Sequence, residues 1–176
     1  MEFSVHIPFV AHLGFELLRM EGGEAEIRFA AAPEHLNSFN VVHGGASMTL
    51  LDVAMAHAAR SVLVGPEADM GVVTIEMKTS FMAAARREPG PLLATGRLLH
   101  RTATMAFTEG RVVDAQGKLC AHATGTFKYV RRLPTGGRGV HALNSVALPA
   151  TPGEAGRAMD SGPAAGGTGL GPIPTD

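Results

Sequence analysis

Asn37-Ser38-Phe39-Asn40-Val41-Val42-His43-Gly44-Gly45 runs directly into the apolar stretch from Ala46 to Val64. A polar, glycine-bearing loop thus feeds a helix whose composition predicts burial on nearly every side. One carboxylate, Asp52, sits inside that helix among Leu50, Leu51, Val53 and Met55. An acid there is costly unless it is paired or used, because an ionised carboxylate away from water loses several kcal/mol of solvation. The glycines allow close approach of the backbone to a ligand, and the first-turn N–H groups of a helix favour negative charge. Loop donors with an acid two turns further along predict an acyl-transfer site.

Outward from this stretch the chain reads as short strands. Val5 to His12 suits a short opening helix. Phe15 to Met20 and Glu24 to Ala31 flank Glu21-Gly22-Gly23, a hairpin signal, and Ala25, Ile27 and Phe29 alternate with Glu24, Glu26 and Arg28. Gly65-Pro66 is a stop signal for the long helix. Val72 to Phe81 follows, with Thr74, Glu76 and Lys78 expected opposite Val73, Ile75 and Met77. Leu92 to Leu99, Ala103 to Asp114 and Leu119 to Tyr129 complete the set, separated by Glu88-Pro89-Gly90-Pro91 and Ala115-Gln116-Gly117. From Pro134 to Asp176 the chain is dominated by Gly, Pro, Ala, Ser and Thr and has no periodicity. Such a segment buries too little apolar area to offset the entropy of ordering it. The expected division is a domain over 1–132 and a disordered tail over 133–176.

The 176 residues suit one domain with length to spare, and the net charge of −1 argues against a nucleic-acid partner. Cys120 is the only cysteine, so no disulfide forms within the chain, which suits a reducing compartment. Its setting in Lys118-Leu119-Cys120-Ala121-His122-Ala123 reads as strand and favours a buried, inert thiol. Met1 to Gly14 lacks the basic and apolar regions of a signal peptide. Asp52, His57 and Arg60 interrupt the longest apolar run, which makes it a poor membrane span. The expectation is a soluble, cytoplasmic protein. The eight histidines show no paired spacing, and there is no CxxC, no serine elbow and no glycine-rich phosphate loop. No metal and no cofactor are expected.

The order strand, strand, helix, then four strands predicts an α+β domain in which one antiparallel sheet wraps one long central helix, the layout of the hotdog fold. A single such sheet leaves an edge and part of the helix uncovered, which predicts a homodimer or a dimer of dimers. Asn37 with His43-Gly44-Gly45, and Asp52 nine residues after His43, resembles the hotdog acyl-CoA thioesterases of the phenylacetate-pathway (PaaI-like) type. Val72 to Met82 resembles the strand that follows the central helix in that family, and Gly110 to Thr126 its last hairpin. The likeness covers roughly Phe9 to Tyr129; it departs at Ala83-Ala84, where many members carry a proline.

The resemblance implies roles position by position. Asp52 falls on the catalytic acid, Gly44 on the backbone N–H that binds the thioester oxygen, and Asn37 on the loop amide that polarises the carbonyl. Thr74 falls on a hydroxyl that orients the attacking water in some members. The family's sites lie at a dimer interface, so Asp52 of one subunit would face Gly44 and Asn37 of the other. Gly45 and the strand-end arginines Arg86, Arg87 and Arg101 are the substrate-binding candidates, the arginines for CoA phosphates.

Thioester hydrolysis needs fixed donors at the nascent oxyanion and a group that activates water or attacks the carbon itself. Asp52 could act as base or as nucleophile, and His43 could hydrogen-bond the departing sulfur. Structural alternatives stand beside each role. Asp52 could pair with His57 or Arg60, Gly44 and Gly45 could serve close helix–sheet packing, and Asn37 could be a turn residue. His43 could anchor the loop, Thr74 could be an ordinary strand residue, and His57 belongs to the core. Two other activities compete: an enoyl-thioester hydratase or dehydratase, and a non-catalytic acyl-CoA-binding module.

Overall fold

A computed structural model describes Phe3 and residues 6–131, so the 133–176 segment lies outside the described residues. A short helix α1 (Pro8–His12) precedes the hairpin strands β1 (Phe15–Glu21) and β2 (Glu24–Phe29). Gly22 and Gly23 turn between them with φ of 59° and 88°, the left-handed backbone of a tight hairpin. The loop through residues 30–43 leads to the long helix α2 (Gly44–Arg60). Strands β3 (Met70–Phe81), β4 (Leu92–Arg101), β5 (Met105–Val113) and β6 (Leu119–Arg131) follow. All six strands join one antiparallel sheet in the order β1-β2-β4-β5-β6-β3. This is the α+β layout that the element order predicts, one sheet curved about one helix.

Period-two burial explains the sheet's inner face. Ala25, Ile27 and Phe29 are fully buried on the face their alternation predicts, and β5 and β6 bury Ala106, Thr108, Val112, Ala123 and Phe127 alongside them. Leu50, Leu51, Ala54, Met55 and Ala58 of α2 supply the other half of the core, each fully buried. The helix can lie this close because the strands beneath it lack side chains at the crossing. A Cβ on Gly96 would stand 2.3 Å from the Ala54 carbonyl oxygen, and one on Gly110 would stand 3.0 Å from Met55 Cγ. Gly96 admits glycine alone without a shift of helix or strand, whereas a side chain at Gly110 would press on the Met55 and Leu51 side chains.

Four details differ from the sequence expectation. The opening helix occupies Pro8–His12 rather than Val5 to His12, since Pro8 is best accommodated in a helix's first turn. Helix α2 starts two residues earlier, at Gly44, and ends at Arg60 instead of near Gly65-Pro66. Ser61 stops it by turning its N–H and Oγ onto the Ala58 carbonyl while accepting the Gly23 N–H at 2.7 Å. The helix is also not buried on nearly every side: Met48 and Gly45 are exposed, and Thr49, Asp52, Ala56 and Arg60 are half-buried. These positions recur every three or four residues and form one open stripe.

The fourth difference lies in β3. A bulge between Thr74 and Glu76 inserts Ile75 as an unpaired residue opposite β6. Thr74 pairs with the buried Phe127 and Met77 with Gly125, so Thr74 and Met77 share the helix-facing side. Glu76 and Lys78 turn outward with Val73. The expected alternation of Thr74, Glu76 and Lys78 against Val73, Ile75 and Met77 is broken at that point. β3 is also a sheet edge, and it exposes Val73, Ile75 and Phe81 along its length.

Candidate active site

The start of α2 is built by its loop. His43 is the N-cap, and its Nδ1 accepts the Gly45 N–H at 2.9 Å. The His43 N–H donates to the His35 carbonyl at 2.8 Å, and the Val42 N–H to the Ala85 carbonyl at 2.8 Å, which fastens the loop at both sides. This places His43 as the loop anchor, with Nε2 as its remaining polar atom. Gly45 spends its N–H on that cap, and a Cβ there would meet His43 Nδ1 at 3.0 Å. The Gly44 N–H is left without an acceptor among the described residues. A Cβ on Gly44 would touch the Phe81 ring at 3.3 Å, so the peptide can be approached only where no side chain stands.

Asn37 accepts the Phe39 and Val41 N–H groups on Oδ1, at 2.9 and 3.3 Å. It is therefore a turn residue, as one of the structural alternatives held. Those two bonds also fix the amide's orientation and leave its NH2 as a donor. Asn37 and Gly44 line one cavity of about 380 Å³, together with Val42, Ser47, Phe81 and Cys120.

Asp52 lines a different cavity, of about 640 Å³, on the open stripe of α2. Its neighbours there include Phe9, Met48, Ala56, Thr74 and Met77. Thr74 Oγ1 donates to Asp52 Oδ1 at 2.7 Å. Burial raises the Asp52 pKa above the ordinary carboxylate range, and the Thr74 hydrogen bond acts in the opposite direction. His57 is buried beside this cavity, but its Nδ1 is on the Val53 carbonyl at 2.8 Å rather than on Asp52. Burial lowers its pKa and keeps the ring neutral.

The chain does not bring these two sets together. Eight residues of α2 separate Gly44 from Asp52, about 12 Å of helix rise. The arginines also divide. Arg86 and Arg87 follow Ala85, at the N-terminal end of α2, and both are exposed, with Arg87 3.6 Å from Glu88. Arg101 lies at the opposite end, paired with Glu67 at 2.9 Å and stacked over the Tyr129 ring at 5.1 Å. Tyr129 in turn bonds the Ala59 carbonyl near the helix C-terminus. Sequence reasoning expected Met48 to shape the pocket, and it lines the Asp52 cavity; it missed Ser47 and Phe9 as cavity residues. Ser47 and Met48 lie three and four residues past Gly44, a spacing that itself placed them near that end.

The thioesterase superfamily profile matches residues 39–121, which span the loop, the helix and the strands through Ala121. A protein of Archaeoglobus fulgidus, provisionally named an esterase, is 35% identical over 117 residues, 65% of this chain and 70% of that protein. The conserved protein PA5202 of Pseudomonas aeruginosa aligns with a TM-score of 0.64 at 29% identity, covering 71% of this chain and 95% of that one. The PaaI protein of Escherichia coli, from the phenylacetic acid degradation operon, aligns with a TM-score of 0.62 at 23% identity, covering 69% and 83%. That last likeness is one of fold. This chain belongs to the thioesterase superfamily and is a thioester hydrolase of the hotdog fold.

Proposed function

We propose that the chain hydrolyses an acyl-CoA to the free acid and CoA, at a site completed by a second copy of itself. The observation that carries this reading is Asp52, a carboxylate held by Thr74 in the wall of a largely apolar cavity. A base with a raised pKa near an apolar acyl group suits attack on a thioester, whose thiolate leaves without strong acid help. Asp52 takes the proton of an attacking water, or attacks the carbonyl carbon itself to form an anhydride that water then opens. In either route the carbonyl oxygen becomes an oxyanion. The Gly44 N–H, at the positive end of α2, and the Asn37 NH2 are the donors for it.

These donors and the acid lie in separate cavities of one chain, about 12 Å apart along the helix. The uncovered edge of β3 and the open stripe of α2 border the Asp52 cavity. A second copy pairing along β3 in antiparallel sense sets Asp52 of each chain against Gly44 and Asn37 of the other. Arg86 and Arg87, exposed and directly after Ala85 of the Gly44 cavity, are the candidates for CoA phosphates. Arg101, committed to Glu67 and Tyr129, is the weaker candidate. Neither metal nor organic cofactor enters this chemistry, and a chain with one buried thiol suits the cytoplasm.

The test is thiol release from phenylacetyl-, benzoyl-, short-chain and long-chain CoA esters by the wild type and Asp52→Asn. Release that collapses in the variant supports the reading. Hydration of an enoyl-CoA with no thiol released transfers the chain to the hydratases. Tight acyl-CoA binding without turnover makes it a binding module.

A further inference from the structure

The Gly44 cavity holds a hydroxyl that the fold does not use. Ser47 is 2% exposed, yet its Oγ has no hydrogen-bond partner among the described residues. Helical hydroxyls usually return to a carbonyl one turn back. Thr49 does so, donating to the Gly45 carbonyl at 2.9 Å. Ser47 instead gives only its N–H to the His43 carbonyl, at 3.2 Å. The oxygen keeps some accessible surface, so the bond it leaves unmade within the chain is open to a partner from outside it, a water or a ligand. The oxygen is not sealed in protein as Thr79 Oγ1 is; it opens into the cavity that Ser47 lines with Asn37 and Gly44.

Its position on the helix says what it faces. Ser47 is three residues beyond Gly44 and shares its side of α2. A helical side chain leans toward the N-terminus, over the turn before its own Cα. The Ser47 hydroxyl therefore leans toward the Gly44 end of the helix, whose N–H has no acceptor. A nucleophilic role has no support, since activation needs an adjacent base and no imidazole or carboxylate touches Ser47 among the described residues. His43, the nearest imidazole in sequence, has its Nδ1 on the Gly45 N–H.

We infer that Ser47 is a catalytic residue whose Oγ–H donates to the thioester carbonyl oxygen as it becomes the oxyanion, beside the Gly44 N–H. This rests on the acyl-CoA hydrolase reading above. The proton stays on Ser47 throughout, and the bond it makes strengthens as negative charge develops on the oxygen.

The experiment compares wild type with Ser47→Ala in the full-length chain, measuring kcat and KM on acyl-CoA esters together with the melting temperature. Ser47→Ala should lower kcat by about 10- to 100-fold with KM within twofold. The melting temperature should stay level or rise, because the oxygen bonds nothing in the protein and alanine suits a helix. A kcat within twofold of an active wild type overturns the role of Ser47 and leaves the hydrolase reading standing. A raised KM at constant kcat also overturns it, since that marks uniform binding. A lowered melting temperature would mean that the hydroxyl has a structural partner, and would overturn it too. A wild type that releases no thiol from any ester removes both readings.

Discussion

Thr74 on the edge strand and Asp52 on the central helix are joined by a 2.7 Å hydrogen bond across the open side of the molecule. The bulge at Ile75 keeps that side apolar. Without it, Glu76 and Lys78 would follow Thr74 onto the helix-facing surface; with it, Met77 takes the place beside the acid. The site thus presents a carboxylate held by the Thr74 hydroxyl in a largely apolar wall that also includes Thr49, His57 and Arg60. Burial raises the acid's pKa, while Thr74 opposes that rise and orients the carboxylate.

Replacing Thr74 with valine tests that dependence. The hydroxyl donates to the charged carboxylate, so its loss raises the Asp52 pKa further. The acidic limb of the kcat/KM profile should move to higher pH, and kcat at the optimum should fall about tenfold through loss of orientation. Thr74→Ser should restore both. An unmoved acidic limb in Thr74→Val would separate Thr74 from the acid's chemistry.

Asp52→Asn should cost activity and add stability. Burial raises the folded-state pKa of Asp52 above its unfolded value. A group raised in this way favours the fold while protonated, below its unfolded pKa, and loses that contribution as pH rises through the folded value. At pH 7 the ionised side chain is therefore a net cost, which asparagine removes while still accepting from Thr74. The melting temperature of Asp52→Asn should exceed that of wild type at pH 7, and the gap should narrow toward pH 4. Thiol release should fall about 100-fold or more. A lower melting temperature at pH 7 would show that the carboxylate makes a stabilising contact instead.

The sheet was legible in the sequence because β2 alternates with period two after its Gly22-Gly23 turn and because Gly117 separates the runs that form β5 and β6. Asp52 was legible because an acid inside an apolar helix stands out. The open side of α2 was harder to see. Thr49, Asp52 and Arg60 lie on one stripe, but Met48 and Ala56 share it, so the stripe reads as core. The bulge at Ile75 was invisible because one inserted residue leaves composition unchanged and only the pairing with β6 reveals it. Arg101 has the same local sequence whether it meets water, a phosphate or Glu67, and Glu67 is 34 residues away. Such non-local partners leave no periodic trace.

Gly96 should prove indispensable for folding rather than for chemistry. An alanine Cβ there would collide with the Ala54 carbonyl at 2.3 Å, and both atoms belong to backbone that cannot swing aside. Overpacking of this kind costs about 1–3 kcal/mol and more where backbone must move. Gly96→Ala should therefore melt well below wild type or fail to accumulate as folded protein. Gly71→Ala, whose nearest contact would be an ordinary 3.6 Å, is the control and should melt within a few degrees of wild type. Equal melting of the two variants would mean that α2 does not sit as close to β4 as this geometry requires.

A site shared between two copies makes a prediction that a site within one chain cannot. Asp52→Asn removes the acid from the Asp52 cavity, and Asn37→Ala removes a donor from the Gly44 cavity, while each chain keeps the other component intact. Each variant alone should be strongly impaired. Unfolded together and refolded as an equal mixture, half of the dimers would contain one chain of each kind. In such a dimer one site joins an intact acid to an intact donor, and the other combines both defects. Activity should then return to about a quarter of the wild-type value, set by random pairing in a two-fold dimer. Mixing the folded variants without unfolding should restore much less on the same timescale if the copies exchange slowly. Refolded mixtures that never exceed the mean of the two variants would place the acid and the donors in one chain, and would remove the second copy from the catalytic site.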